Sequence, residues 1–159
     1  MREGIKNLGT LKVILLLVTL LFSMASFARS SKKVKLYNFE NVKFKKNYDG
    51  DTATFDIDSV HPMLGKNAKI RVRGIDTPEI RGSDKCEKDL ARAAKRLVKS
   101  ELKNAKKVTL SNCGKGKYFR LVCDINYDGK NLKTILFKNK LAYSYEGGKK
   151  RKINWCNRK

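Results

Sequence analysis

Two hydrophobic periods alternate along the chain. In "TATFDID" after Asp51, Ala53, Phe55 and Ile57 alternate with polar residues, the period-2 signature of a half-buried strand. "KIRVRGI" repeats the pattern, with Ile70 and Val72 set against Arg71 and Arg73. The intervening "SVHPMLGKN" carries proline and glycine and reads as a hairpin loop. From Cys86 to Lys107 the period lengthens. Leu90, Ala94, Leu97, Val98, Leu102 and Ala105 recur at helical spacing with lysines opposite, which predicts a long amphipathic helix. "VTL" and "FRLVCDI" then predict strands around the turn "GKGKY". "NYDGKN" reads as a further turn, Leu132, Ile135 and Leu136 as a short helix, and "LAYSY" as a last apolar piece before a basic tail. Strands, a central helix and more strands indicate a small α+β domain, a Greek-key barrel with helices packed on it.

The N-terminus follows a different logic. Arg2, Lys6 and Lys12 precede an apolar run from Val13 to Phe22, and Ser26 and Ala28 follow as small residues. That is the pattern of a signal peptide cleaved after Ala28; the run is shorter than the ~20 residues a membrane-spanning helix needs. The expected product is exported, extracellular or periplasmic, with no stable membrane insertion after cleavage. It comprises residues 29–159 as one domain, with a core over about 43–145 and a basic C-terminal tail.

Charge narrows the partner class. The chain holds 37 Lys and Arg against 15 Asp and Glu, a formal net charge of +22. A field of that sign attracts polyanions such as nucleic acid, anionic lipid or cell-wall polymer. The four cysteines, Cys86, Cys113, Cys123 and Cys156, all lie beyond the signal. An even count in an exported domain reads as two disulfides with three possible connectivities. With no C-x-x-C spacing and His61 the sole histidine, the donor pattern does not favour a zinc site.

Against that basic background, acids cluster at turns. "YDGDT" sets Asp49 and Asp51 where a strand opens, and "RVRGIDTPE" sets Arg71 ahead of Asp76, Thr77 and Glu79. "KYFR" supplies Tyr118 and Arg120, and "DGK" recurs at Asp128–Lys130. Taken singly, each has a bland reading: Asp51 and Asp76 as turn residues, and Glu79 as a carboxylate capping the coming helix. The ordered set is more specific.

In order and spacing, these motifs resemble the staphylococcal nuclease-like (thermonuclease) family of secreted calcium-dependent nucleases, over most of Lys43–Tyr145. The resemblance implies a five-stranded OB-like Greek-key barrel with one long amphipathic helix and a short second one. It implies Ca²⁺ held by Asp51, Asp76 and the carbonyl of Thr77, an open set of hard oxygen donors that suits calcium. It implies Glu79 as the general base toward water, Arg71 and Arg120 as forks gripping the scissile phosphate, and Tyr118 beside the bound nucleotide. The implied activity is hydrolysis of DNA and RNA without strong sequence preference, by a monomer, leaving 3′-phosphates. Phe119 departs from the family, which has glycine there, and the first hairpin loop is longer.

Two rivals come from other classes. A barrel that has lost catalysis would be a nucleic-acid-binding module lacking part of the acid and arginine set, and all five of those residues are present. A cationic protein for lipid or wall polymer would have no use for Asp76 or Glu79. For the cysteines, Cys113 and Cys123 flank the "GKGKYFRLV" hairpin and are expected to pair. Cys86 and Cys156 would then tie the basic tail to the start of the long helix, where the family has a C-terminal helix that this sequence lacks.

Overall fold

A computed structural model describes residues 35–82 and 84–157; the expected signal peptide lies outside them. Five strands of five or more residues carry the architecture. They are β2 (Lys43–Asn47), β3 (Thr52–Asp56), β4 (Ala68–Val72), β6 (Val108–Lys115) and β7 (Leu121–Tyr127). Short strands β1 (Tyr37–Phe39) and β8 (Lys130–Asn131) extend this sheet, whose order is β1-β6-β7-β4-β3-β2, with β8 on β7. β5 (Ile75–Asp76) and β9 (Tyr143–Ser144) form a separate antiparallel pair. The helices are α1 (Pro62–Gly65), α2 (Lys85–Lys103) and α3 (Leu132–Lys138). This is the expected α+β, OB-like architecture, a mixed sheet with one long and one short packed helix.

The two alternating stretches pair antiparallel, Ala53 opposite Ile70 and Thr52 opposite Arg71. Their connection is more ordered than a plain loop. Pro62 starts α1, where its missing N–H is harmless, and the His61 Nδ1 accepts from the Met63 N–H at 3.3 Å. The chain crosses from β4 through α2 to β6, and β7 then runs parallel to β4, Ile70 opposite Leu121. In the β7–β8 hairpin, Asp128 and Gly129 both take positive φ (44° and 76°), as a two-residue hairpin turn demands.

Helix α2 starts at the N-cap Asp84, whose carboxylate accepts from the Cys86 N–H at 2.8 Å. It buries Ala91, Ala94, Val98 and Leu102, and the last three share one core cluster with Phe55, Ile70, Val72, Leu110 and Ile125 of the sheet. Truncating Leu102 to alanine would cost about 2–5 kcal/mol. The helix ends at Lys103, four residues before the extent predicted from its period, because Asn104 serves as C-cap and the chain turns to feed β6. Ala105 still packs on the core, from the loop.

Both expected disulfides form. Cys113 and Cys123 join β6 to β7 with Cα atoms 4.2 Å apart. Cys86 and Cys156 join the start of α2 to the tail with Cα atoms 6.0 Å apart, beside the buried Trp155. No described helix is long and apolar enough to cross a membrane.

Candidate active site

The β2–β3 turn is built to hold one carboxylate still. The Asp49 Oδ1 accepts from the backbone N–H of Asp51 at 3.0 Å and of Thr52 at 2.7 Å, an Asx turn. Asn47 donates to the carbonyls of Asp49 (2.8 Å) and Lys95 (2.9 Å), which fastens the turn to α2. Gly50 permits the approach: a Cβ there would lie 2.8 Å from the Ala94 Cβ and 3.0 Å from the Thr77 side chain. Asp51 is thereby buried at 4% exposure.

Arg71, on β4, faces this turn because its register partner is Thr52. Its Nη1 donates to the Asp51 Oδ1 at 2.7 Å, and its Nη2 to the Asp76 Oδ1 at 2.6 Å and the Ile75 carbonyl at 3.3 Å. Gly74, at φ +74°, reverses the chain so that Asp76 returns to the guanidinium five residues after it left. One fork therefore gathers both carboxylates that the sequence separates by 25 positions.

The β5–β9 pair and the chain beyond it bring two more residues to Asp76. Tyr143, opposite Asp76 in register, donates from its hydroxyl to the Asp76 Oδ2 at 2.9 Å. Lys150, beyond Gly147 and Gly148, places its Nζ 3.0 Å from the Asp76 Oδ1 and 2.5 Å from the Glu79 Oε1. The only sequence signal for Lys150 was a lysine following two glycines, which says nothing of where the chain swings. Thr77 is buried beside Asp76, whereas Glu79 stands on the rim with its side chain 56% exposed. Glu87 of α2 holds the Glu79 N–H at 3.1 Å.

Arg71, Glu79, Tyr118, Arg120 and Lys150 line one cleft of about 590 Å³. Tyr118 is almost fully exposed, at φ +56°, so its ring is offered to solvent rather than to the core. The Arg120 guanidinium makes no ion pair or hydrogen bond among the described residues. The expectation about the Phe119 side chain lies outside what the structure describes. Arg73, the other polar position of that strand, is a brace and not a free surface charge: its Nη2 donates to the carbonyls of Asn112 (2.5 Å) and Val122 (3.0 Å) across the β4–β6–β7 junction.

Charge in the cluster is finely set. Burial first, with repulsion from Asp49 and Asp76, pushes the Asp51 carboxyl up to about 7 against the pull of Arg71. Burial would draw Arg71 down, but Asp51 and Asp76 outweigh it and push its pKa up. Burial and the hydrogen bond to Asp76 push the Tyr143 hydroxyl up to about 12, so it remains a donor at neutral pH. Crowded acids whose ionisation burial opposes are what a divalent cation would relieve. No group of three His, Cys, Asp or Glu assembles among the described residues. A metal here would rest on two buried carboxylates and backbone oxygen, a hard donor set that fits calcium and would leave positions for water and phosphate.

Comparison with curated proteins gives no match. The family model described as Staphylococcal nuclease homologue matches residues 69–155, a span that holds Arg71, Asp76, Glu79, Arg120, Tyr143 and Lys150 and leaves Asp51 just upstream. With more than half of the sequence inside that match, and a mixed sheet packed with one long helix, the chain belongs to the staphylococcal nuclease homologue family.

Proposed function

We propose that this chain is a secreted, Ca²⁺-dependent nuclease that hydrolyses DNA and RNA phosphodiesters without strong sequence preference and leaves 3′-phosphates. Family membership supports nuclease chemistry on nucleic acid. The observation that carries the finer reading is that Arg71 clasps the buried Asp51 and Asp76 while lining one cleft with Glu79 and with an Arg120 whose guanidinium has no partner among the described residues. Two disulfides suit an oxidising compartment, and a start near Arg29 on N-terminal sequencing of the exported protein is the expected result.

Asp51, Asp76 and the Thr77 carbonyl would hold calcium, which supplies charge neutralisation at the phosphate oxygens. Arg71 has five N–H donors, and its present contacts use three. Its fork, with that of Arg120, can therefore take equatorial oxygens as negative charge develops on them. Glu79 on the rim accepts a proton from the attacking water. As water oxygen bonds to phosphorus, the P–O5′ bond breaks, the leaving oxygen takes up a proton, and the phosphate stays on the 3′ side. None of these groups touches a base edge, which accounts for the lack of sequence preference.

The test is initial rate on plasmid and on RNA against calcium concentration, with and without chelator, for folded variants. Asp76→Asn should need more calcium. Glu79→Gln should bind calcium normally and lose at least ~10²-fold in turnover. Arg71→Lys should keep its attraction to DNA and lose turnover. Wild-type rates in Asp76→Asn and Glu79→Gln, or no cleavage by the native chain, would leave the family's nucleic-acid-binding capacity as the function.

A further inference from the structure

A second concave surface lies at the other end of β2. A cleft of about 620 Å³ is rimmed by Lys43, Lys45, Lys99, Lys103, Lys106 and Lys107 and shares no residue with the catalytic cleft. Its floor is apolar: Val42, Leu102 and Val108 are buried there, and Phe44 is half-buried. Three of the lysines have acidic partners, Lys43 with Asp58 (2.7 Å), Lys45 with Asp56 (3.7 Å) and Lys107 with Glu40 (3.3 Å). Lys99, Lys103 and Lys106 extend exposed side chains that make no ion pair among the described residues.

Folding does not explain this arrangement. Lys95, Lys99 and Lys103 follow one another at four-residue spacing on α2, where like charges destabilise a helix. The negative end of the helix dipole favours Lys103, but it has no bearing on Lys43, Lys45 or Lys106. Concentrated positive charge around a trough is complementary to a phosphate backbone. An anionic bilayer fits less well. None of the exposed large hydrophobic residues of the described chain (Leu36, Tyr37, Tyr48, Met63, Leu64, Tyr118, Phe137) lines this cleft, so nothing there could wedge into lipid.

We infer that this lysine-rimmed cleft is a second polynucleotide site, which holds the phosphate backbone of the same nucleic acid at a distance from the scissile bond. This deepens the nuclease reading and rests on it only for where the scissile bond would lie. Lys43 and Asn47 stand about 13 Å apart along β2 at ~3.3 Å per residue, and Asn47 leads straight into the Asp49–Asp51 turn. A dinucleotide in the catalytic cleft cannot reach so far. A strand of more than about four nucleotides can, at ~3.4 Å of rise each when stacked.

The experiment compares the full chain with a Lys99→Gln/Lys103→Gln/Lys106→Gln variant whose circular dichroism matches it. Binding of a labelled 24-nucleotide strand is followed by anisotropy in chelator between 50 and 300 mM KCl. Losing three contacts should flatten the slope of log affinity against log salt by about 2 and weaken binding at 0.1 M roughly 100-fold, at ~0.7 per single-strand contact. With calcium, cleavage of a dinucleotide should be unchanged. Lysine acetylation of the native chain should show Lys99, Lys103 and Lys106 protected by the 24-mer, a readout that needs no variant. Unchanged binding and slope, or no protection of these lysines, overturns the inference. Losing dinucleotide cleavage with strand binding does the same, as does losing affinity only for phosphatidylglycerol vesicles. If the native chain cleaves nothing while the variant still loses strand affinity, the catalytic reading fails and the binding site stands.

Discussion

Lys150 sits where a metal-dependent site has most to lose from a tethered cation. Its Nζ lies between Asp76, a proposed calcium ligand, and Glu79, the proposed base. Burial opposes its charge, but hydrogen bonds to Glu79 and Asp76 outweigh that and push its pKa up, so it is an ammonium throughout the neutral range. The side chain is 46% exposed, so each contact is discounted to the scale of a surface pair, at most about 1 kcal/mol. The one contact that calcium must displace, that to Asp76, amounts to at most about 1 kcal/mol, or up to about fivefold in affinity. Lys150→Met, of similar length without the charge, should therefore bind calcium about 2- to 5-fold more tightly. The assay is calorimetric titration with calcium, backed by terbium luminescence sensitised by Tyr143, whose hydroxyl touches Asp76. Lys149→Met is the control, since it removes the same net charge from a residue with no such contact. If both variants shift calcium affinity equally, the effect belongs to the overall field. If Lys150→Met leaves affinity unchanged or weaker, the displacement reasoning is wrong.

Other outcomes follow from the same geometry. Because burial raises the Asp51 pKa to about 7, the folded state binds a proton there that the unfolded state releases above about 4. This group's contribution to stability therefore declines as pH rises from about 4 to 7 and stays low above it. Calcium, which binds the ionised form, should gain affinity by up to about tenfold per pH unit on approaching pH 7 and level off beyond; a flat titration from pH 5.5 to 8 would refute this. Replacing Cys86 and Cys156 by serine opens a crosslink of sequence separation 70 and should cost roughly 4–5 kcal/mol in urea unfolding. The Cys113 and Cys123 pair, at separation 10, should cost about 3. Tyr118→Ala should weaken single-strand binding by about 1–3 kcal/mol if the exposed ring stacks on a base, with the thermal midpoint nearly unmoved.

Much of the architecture was legible because its signals are local. Alternation placed β3 and β4, the 3.6-residue period placed α2, and Asp128–Gly129 placed the β7–β8 turn, each dictated by side-chain direction or φ within a few residues. The candidate site residues stood out as motifs, since Asx turns and the D-T-P-E corner are also short-range. Cys113–Cys123 was legible as a hairpin crosslink. The end of α2 was misjudged by four residues because Ala105 keeps the apolar period after the backbone has left the helix.

Tertiary structure alone decided what those residues do to one another. That Arg71 clasps both Asp51 and Asp76 depends on the β3–β4 register and the reversal at Gly74. That Tyr143 and Lys150 reach Asp76 depends on the β5–β9 pair, two residues long and joined across 67 positions. The six lysines of the second cleft come from β2, α2 and the loop before β6, and no spacing along the chain relates the pair on β2 to those on α2 and the loop. Sequence periodicity reports which face of an element is apolar. It carries no record of which distant charge will stand opposite, because that is set by pairing and packing between elements after each has formed.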